Sequence, residues 1–277
     1  MEHSGMVHHT WNSSYIALSF LIAALASYIS LELAGRAGRN LRNAANRFWL
    51  VAQALVLGYG IWAMHFVGML AFEVKAAVQF NAAWTALSGL AAVVFMYPAL
   101  LILHSGTFNL RRLAVAGTVA GTGIAVMHYL GMYGFRVPGT AVEIAWLPLI
   151  GSLLIAVGAS MAALFLFHRL SGAWRTQQGR FKIVGLQALA SLVMGAAIIG
   201  MHYTGMAALK YNVTDELALG TAASGADTAL LGLVVSVVSF LLLGLAVTSI
   251  FMDAGRGGDL DELDFETNAT AAASAAD

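Results

Sequence analysis

Apolar runs of about twenty residues alternate with short polar connections along the chain, at about 14–34, 48–71, 82–103, 113–134, 146–168, 183–209 and 229–251. A helix rising 1.5 Å per residue needs roughly 20 apolar residues to cross a bilayer. The pattern therefore predicts an all-α membrane protein with seven transmembrane helices. Arginines mark alternate connections: Arg36, Arg39, Arg42 and Arg47 after the first run, Arg111 and Arg112 after the third, and Arg169, Arg175, Arg180 and Lys182 after the fifth. The opposite connections hold only Lys75, Arg136 and Lys210. Basic loops stay on the cytoplasmic side, which predicts an N-terminus outside and a C-terminus in the cytoplasm.

Within these runs one short pattern returns three times. GYGIWAMHFVGM (Gly58–Met69), GTGIAVMHYLGM (Gly121–Met132) and GAAIIGMHYTGM (Gly195–Met206) share Gly, Ile, Met, His, an aromatic, Gly and Met at equal offsets. The preceding runs echo each other more weakly, Asn12, Ser19 and Tyr28 matching Asn81, Ser88 and Tyr97 in spacing. The predicted unit is a two-helix hairpin used three times, with a seventh helix appended. Repeats of equal topology are related by an axis along the membrane normal, and binding sites tend to lie where they meet. The second, fourth and sixth spans should then surround a shared centre. Each motif histidine falls about six or seven residues from the outer end of its span, roughly 10 Å at the helical rise, so all three reach one level.

Composition sharpens this reading. The 277 residues are 60% hydrophobic and 10% charged with zero net charge, and the mean hydropathy is +0.79, too little charge for a soluble surface. The neutral balance excludes an electrostatic nucleic-acid binder. With no cysteine, disulfides and thiolate metal sites are ruled out, and methionine thioethers are the only sulfur ligands. The start, MEHSGMVHHT, lacks a basic n-region, so the first run reads as a retained span. Residues 1–13 form an outer tail containing histidine and methionine, 14–251 the membrane domain, and 252–277 an Ala/Asp/Thr-rich cytoplasmic tail expected to be disordered.

Ionisable groups deep in a bilayer are costly and mark function. On a helix His65 stacks over Met69, His128 over Met132 and His202 over Met206, four residues apart, while Met64, Met127 and Met201 border those faces. Gly68, Gly131 and Gly205 let helices approach closely or admit a small molecule. Imidazoles and thioethers at one level form a soft, neutral donor set that selects copper, above all Cu(I), as one or two ions. Tyr129 and Tyr203 offer hydrogen bonds or an oxygen ligand, which Phe66 cannot. A single Met-His pair is more often packing, but packing alone does not require the histidine three times.

A weaker constellation, His3, Met6, His8 and His9, lies in the tail. An amine with His at position three suits square-planar Cu(II), so the tail is a candidate secondary site that captures copper. Gln53 and Gln187 read as interhelical hydrogen bonds, Gly117 and Gly121 as helix packing, and His104 and His168 as interfacial anchors.

With its triple motif the chain resembles the MHYT family, bacterial integral membrane sensor domains, over about residues 14–251. The resemblance implies a multi-span domain of the bacterial cytoplasmic membrane that binds copper through the motif residues and senses O2, CO or NO. On matching positions these are Met64 and His65; Met127, His128 and Tyr129; Met201, His202 and Tyr203. Phe66 departs from the pattern. Many members continue into cyclic-di-GMP or kinase domains, whereas this chain runs only about 25 residues past its last span; a stand-alone form signalling through a separate partner or an oligomeric change is expected. Copper transport or delivery, metal-dependent oxidation and haem binding are the alternatives.

Overall fold

The computed structural model describes residues 5–36, 43–170 and 179–214, together with residues 232–238, 240, 241, 244 and 248. Six long helices dominate: α1 (Ser13–Arg36), α2 (Ala44–Leu70), α3 (Ala82–His104), α4 (Leu110–Gly134), α5 (Trp146–Arg169) and α6 (Arg180–Ala207). All six are long and apolar enough to cross a membrane. The seventh expected span lies mostly outside the described residues, and those of it that are described are helical. The expected C-terminal tail falls wholly outside them.

Asparagine starts four of the helices, its side chain accepting a backbone N–H that the first turn leaves unpaired. Asn12 takes Ser14 N at 3.0 Å, Asn43 takes Ala45 N at 2.9 Å, Asn81 takes Trp84 N at 3.1 Å and Asn109 takes Arg112 N at 2.8 Å. The apolar side chains left outside the core suit lipid; Leu147 is 85% and Leu154 69% exposed on α5.

Six short strands fasten one end of the bundle. They are β1 (His9–Trp11), β2 (Phe72–Val74), β3 (Gln79–Phe80), β4 (Phe135–Arg136), β5 (Thr140–Ile144) and β6 (Leu209–Val213). They pair antiparallel as β1–β2, β3–β4 and β5–β6. Each ladder therefore joins the chain entering a hairpin to the chain leaving it, and the predicted two-helix unit becomes strand–helix–helix–strand. One backbone bond recurs at the same place: Asn12 N to Ala71 O at 2.9 Å, Asn81 N to Gly134 O at 2.9 Å and Ala145 N to Ala208 O at 2.8 Å.

The three units close into a ring through a second recurring contact. The first glycine of each motif meets the leading helix of the next unit: Gly58 against Val93, Gly121 against Val157 and Gly195 against Ala24. A Cβ at Gly121 would sit 2.6 Å from the Val157 Cα, and one at Gly117 would overlap Met161, so the GxxxG pair is indeed packing. The Gln187 Nε2 donates to Glu32 Oε2 at 3.5 Å, tying α6 to α1, and Arg36 pairs with the same carboxylate at 3.4 Å. Gln53 corrects its expectation. Its side chain is fully buried, yet neither polar atom finds a partner among the described residues. His168 stacks on Phe108 at 4.0 Å.

Candidate metal centre

The three motif histidines meet. His65, His128 and His202, from α2, α4 and α6, are 0%, 1% and 1% exposed. The His65 Nδ1 lies 3.0 Å from the His202 Nδ1 and 3.2 Å from the His128 Nδ1. Ring centroids stand 4.9, 4.9 and 5.3 Å apart with interplanar angles of 86°, 77° and 86°, so the rings face one another edge to face around a point. One nitrogen from each, all within 4.8 Å of one another, could hold a metal ion.

The motif glycines build this cluster. A Cβ at Gly68 would overlap the His202 Nε2, one at Gly131 the His65 Nε2, and one at Gly205 the His128 Nε2. Each glycine thus seats the imidazole of another motif, in a cycle that returns to its start. The sequence suggested close helix approach there; the specific occupant, a histidine from a different repeat, depends on the ring of helices and is invisible locally.

Orientation of the rings favours a bound cation. A neutral imidazole carries one proton, so each nitrogen is either donor or acceptor. His65 Nδ1 sits between two other Nδ1 atoms and satisfies both only by one lone pair shared between two donors. The Nε2 sides of the three rings face the backbone at Gly131, Gly205 and Gly68, and Gly205 and Gly68 offer backbone hydrogen bonds to His128 and His202. Placing the protons on Nε2 turns three lone pairs inward, an arrangement that a metal ion stabilises. An ion held at about 2.0–2.1 Å by three coplanar nitrogens separates them by about 3.5 Å. The two spacings from His65, 3.0 and 3.2 Å, fall a few tenths of an ångström short of this, and one nitrogen from each ring lies within 4.8 Å of the others, so the donor set fits.

Met64, Met69, Met127, Met132, Met201 and Met206 are all buried. Tyr129 and Tyr203 stand T-shaped to their own histidines, with centroids 4.8 Å apart in both cases. Their hydroxyls are engaged elsewhere: Tyr129 with Ser152 Oγ at 2.7 Å and Tyr203 with Ser19 Oγ at 3.3 Å. Where the first motif has Phe66, the Trp62 Nε1 donates instead to Ser88 Oγ and to Thr85 O, both at 3.1 Å. Ser19, Ser88 and Ser152 are fully buried, and each donates to the carbonyl three residues earlier, on Ile16, Thr85 and Leu149. Every motif helix is therefore latched to a serine of the next unit. The Ser19/Ser88 spacing marks the repeat but not the latch; Ser152 and Trp62 carry no matching signal, since Ala145 breaks the asparagine match and indole stands in for phenol.

In the tail, His8 and His9 are exposed, and the His9 ring leans on Phe72 at 4.6 Å. His3 lies outside the described residues.

Comparison with known proteins agrees with the repeat. The sequence profile of MHYT, the bacterial signalling protein N-terminal repeat, matches residues 58–116 and 121–179. Its frame runs from a motif helix into the next leading helix, the pair that the glycine and serine contacts join. The chain is 38% identical to the bifunctional diguanylate cyclase/cyclic di-GMP phosphodiesterase MucR of Pseudomonas aeruginosa, over 90% of this chain and 35% of that protein. It is 36% identical to the cyclic di-GMP phosphodiesterase NbdA of the same organism, over 91% of this chain and 31% of that one. Against the signaling protein YkoW of Bacillus subtilis it is 34% identical, over 74% of this chain and 25% of the relative. The chain thus spans about a third or less of the length of these curated relatives. No solved structure matches it.

Proposed function

The chain belongs to the MHYT family of bacterial signalling proteins, and on that premise we propose that it is a copper-binding sensor module of the bacterial cytoplasmic membrane, responsive to a diatomic gas. The observation that carries this reading is the convergence of three Nδ1 atoms at 3.0 and 3.2 Å in a buried site. His65, His128 and His202 would hold the ion, with thioethers of the buried motif methionines available around it. Nitrogen and thioether donors without carboxylate favour Cu(I), and a three-nitrogen set leaves an open position for O2, CO or NO.

The chain's own residues supply the rest. Gly68, Gly131 and Gly205 keep the Nε2 side of each ring against backbone, which fixes the Nδ1 side toward the centre. Tyr129, Tyr203 and Trp62, through their serines, hold each motif helix against the next unit, so a change at the centre is felt around the ring. In this reading the signal passes from the membrane domain to a partner protein or to another copy.

Copper analysis of gently purified, lipid-embedded protein tests the reading. Stoichiometric copper that is lost on replacing His65, His128 and His202 together by Ala is expected, with membrane insertion retained. Equal copper in the triple variant, or a haem absorption band in place of copper, would reject it.

A further inference from the structure

The two sides of the imidazole cluster are built differently. Toward the strands, just beyond the ends of the motif helices, Phe72, Phe135 and Tyr211 pack on one another, with centroids 6.4 Å apart for Phe72 and Phe135, 6.1 Å for Phe72 and Tyr211 and 5.8 Å for Phe135 and Tyr211. The N-terminal segment lies across this roof: Val7, itself buried, donates its N–H to Tyr211 O at 2.9 Å. An aqueous ligand meets three packed rings and the N-terminal segment on this side.

Away from the strands the packing loosens. A cavity of about 30 Å³ lies among α2 to α6, lined by Ile61, Ile124 and Ile198 and, further in, by Ala120, Ala163 and Ser160. The three isoleucines occupy one position of the repeat, four residues before each motif histidine, so the cavity begins about 6 Å along the helices from the imidazoles. Its lining is apolar apart from Ser160, whose buried hydroxyl has no hydrogen-bond partner among the described residues. Roughly 10–15 Å³ suffices for one water, but a buried water needs two to four polar partners. One hydroxyl does not supply them. The space suits a guest of two small atoms, apolar enough to arrive from lipid and able to accept one hydrogen bond.

We propose that this chamber is a docking site for a diatomic gas, which enters from the membrane, rests against the Ser160 hydroxyl and reaches the imidazoles through the isoleucine layer. The proposal rests on the gas-sensing reading above and adds the route and the residues that set it. Filling the chamber closes the route without touching the histidines.

Xenon, an apolar probe that needs no metal, tests it in lipid nanodiscs with 13C-labelled isoleucine methyls. Saturable shifts at Ile61, Ile124 and Ile198 are expected, and their loss in Ala120→Leu and Ala163→Leu. The second variant sits at a partly exposed position and keeps the test open if the first misfolds. In copper-loaded protein the same variants should slow CO association roughly tenfold with copper content unchanged. Methyls that do not move under xenon, or shifts that survive both fillings, overturn the chamber even if copper and CO still bind. Xenon shifts in a protein that takes up no copper would uphold the chamber and bring down the metal reading instead.

Discussion

The Ser19 Oγ and the Tyr203 hydroxyl, 184 positions apart, lie 3.3 Å from one another and join the last motif helix to the first helix of the chain. The same partners, Tyr129 and Ser152, meet at 2.7 Å one unit earlier. A hydroxyl contact repeated across two junctions, and replaced by an indole at the third, makes the phenols part of the scaffold that positions the histidines.

Tyr203→Phe and Tyr129→Phe should each cost about 0.5–1.5 kcal/mol, the net worth of one hydrogen bond, while copper content holds. Thermal unfolding in detergent together with metal analysis checks this. Copper loss without a drop in stability would return the phenols to the metal's own ligands.

Trp62→Phe removes the donor to both Ser88 and Thr85 and should destabilise by more than either tyrosine change. Adding Phe66→Tyr to that variant restores a phenol where the other two motifs have one, and is expected to recover part of the lost melting temperature. No recovery would mean that the first junction is built on a different plan.

Gly131→Ala places a methyl against the His65 ring. Overpacking of this kind costs roughly 1–3 kcal/mol, and the displaced imidazole should weaken copper binding by roughly 10–100-fold, as loss of a supporting residue does. Gly68→Ala and Gly205→Ala should behave alike; alanine tolerated at all three, with full copper affinity, contradicts the cycle. Single His→Ala changes should exceed that loss, and His65→Ala most of all, because its Nδ1 touches both others.

Truncating residues 1–8 strips the Val7 bond from Tyr211, whose phenol burial pushes above its ordinary range. In the truncated protein this phenol should ionise at lower pH, followed by ultraviolet titration against Tyr211→Phe as the blank. An unchanged titration would show that the aromatic roof seals itself without the N-terminal segment.

Most of this was legible in the sequence, for reasons that differ by element. The helices were plain because span length is imposed by the bilayer and needs no partner. Histidine convergence could be inferred from equal depth in three equal units. Closure of the ring was harder to read, since Ser152 finds Tyr129 and Ser19 finds Tyr203 only once the third unit meets the first. The strands were missed altogether: segments of two to five residues such as Gln79–Phe80 carry too little alternation to signal pairing. Polarity alone suggests a partner for Gln53, and none appears among the described residues.

All three ladders sit at one end of the bundle, a few residues beyond the histidines. In α2 the distance from Leu70 back to His65 is about 8 Å, and to Ala44 about 40 Å. Helices hinged at such a rim act as long levers: an ångström of spreading where the rings meet becomes about 5 Å at the far tips by that proportion. Arg36, Arg47, Arg111, Arg112, Arg169 and Arg180 lie at or near those far ends, so a small event at the rings reaches them already magnified.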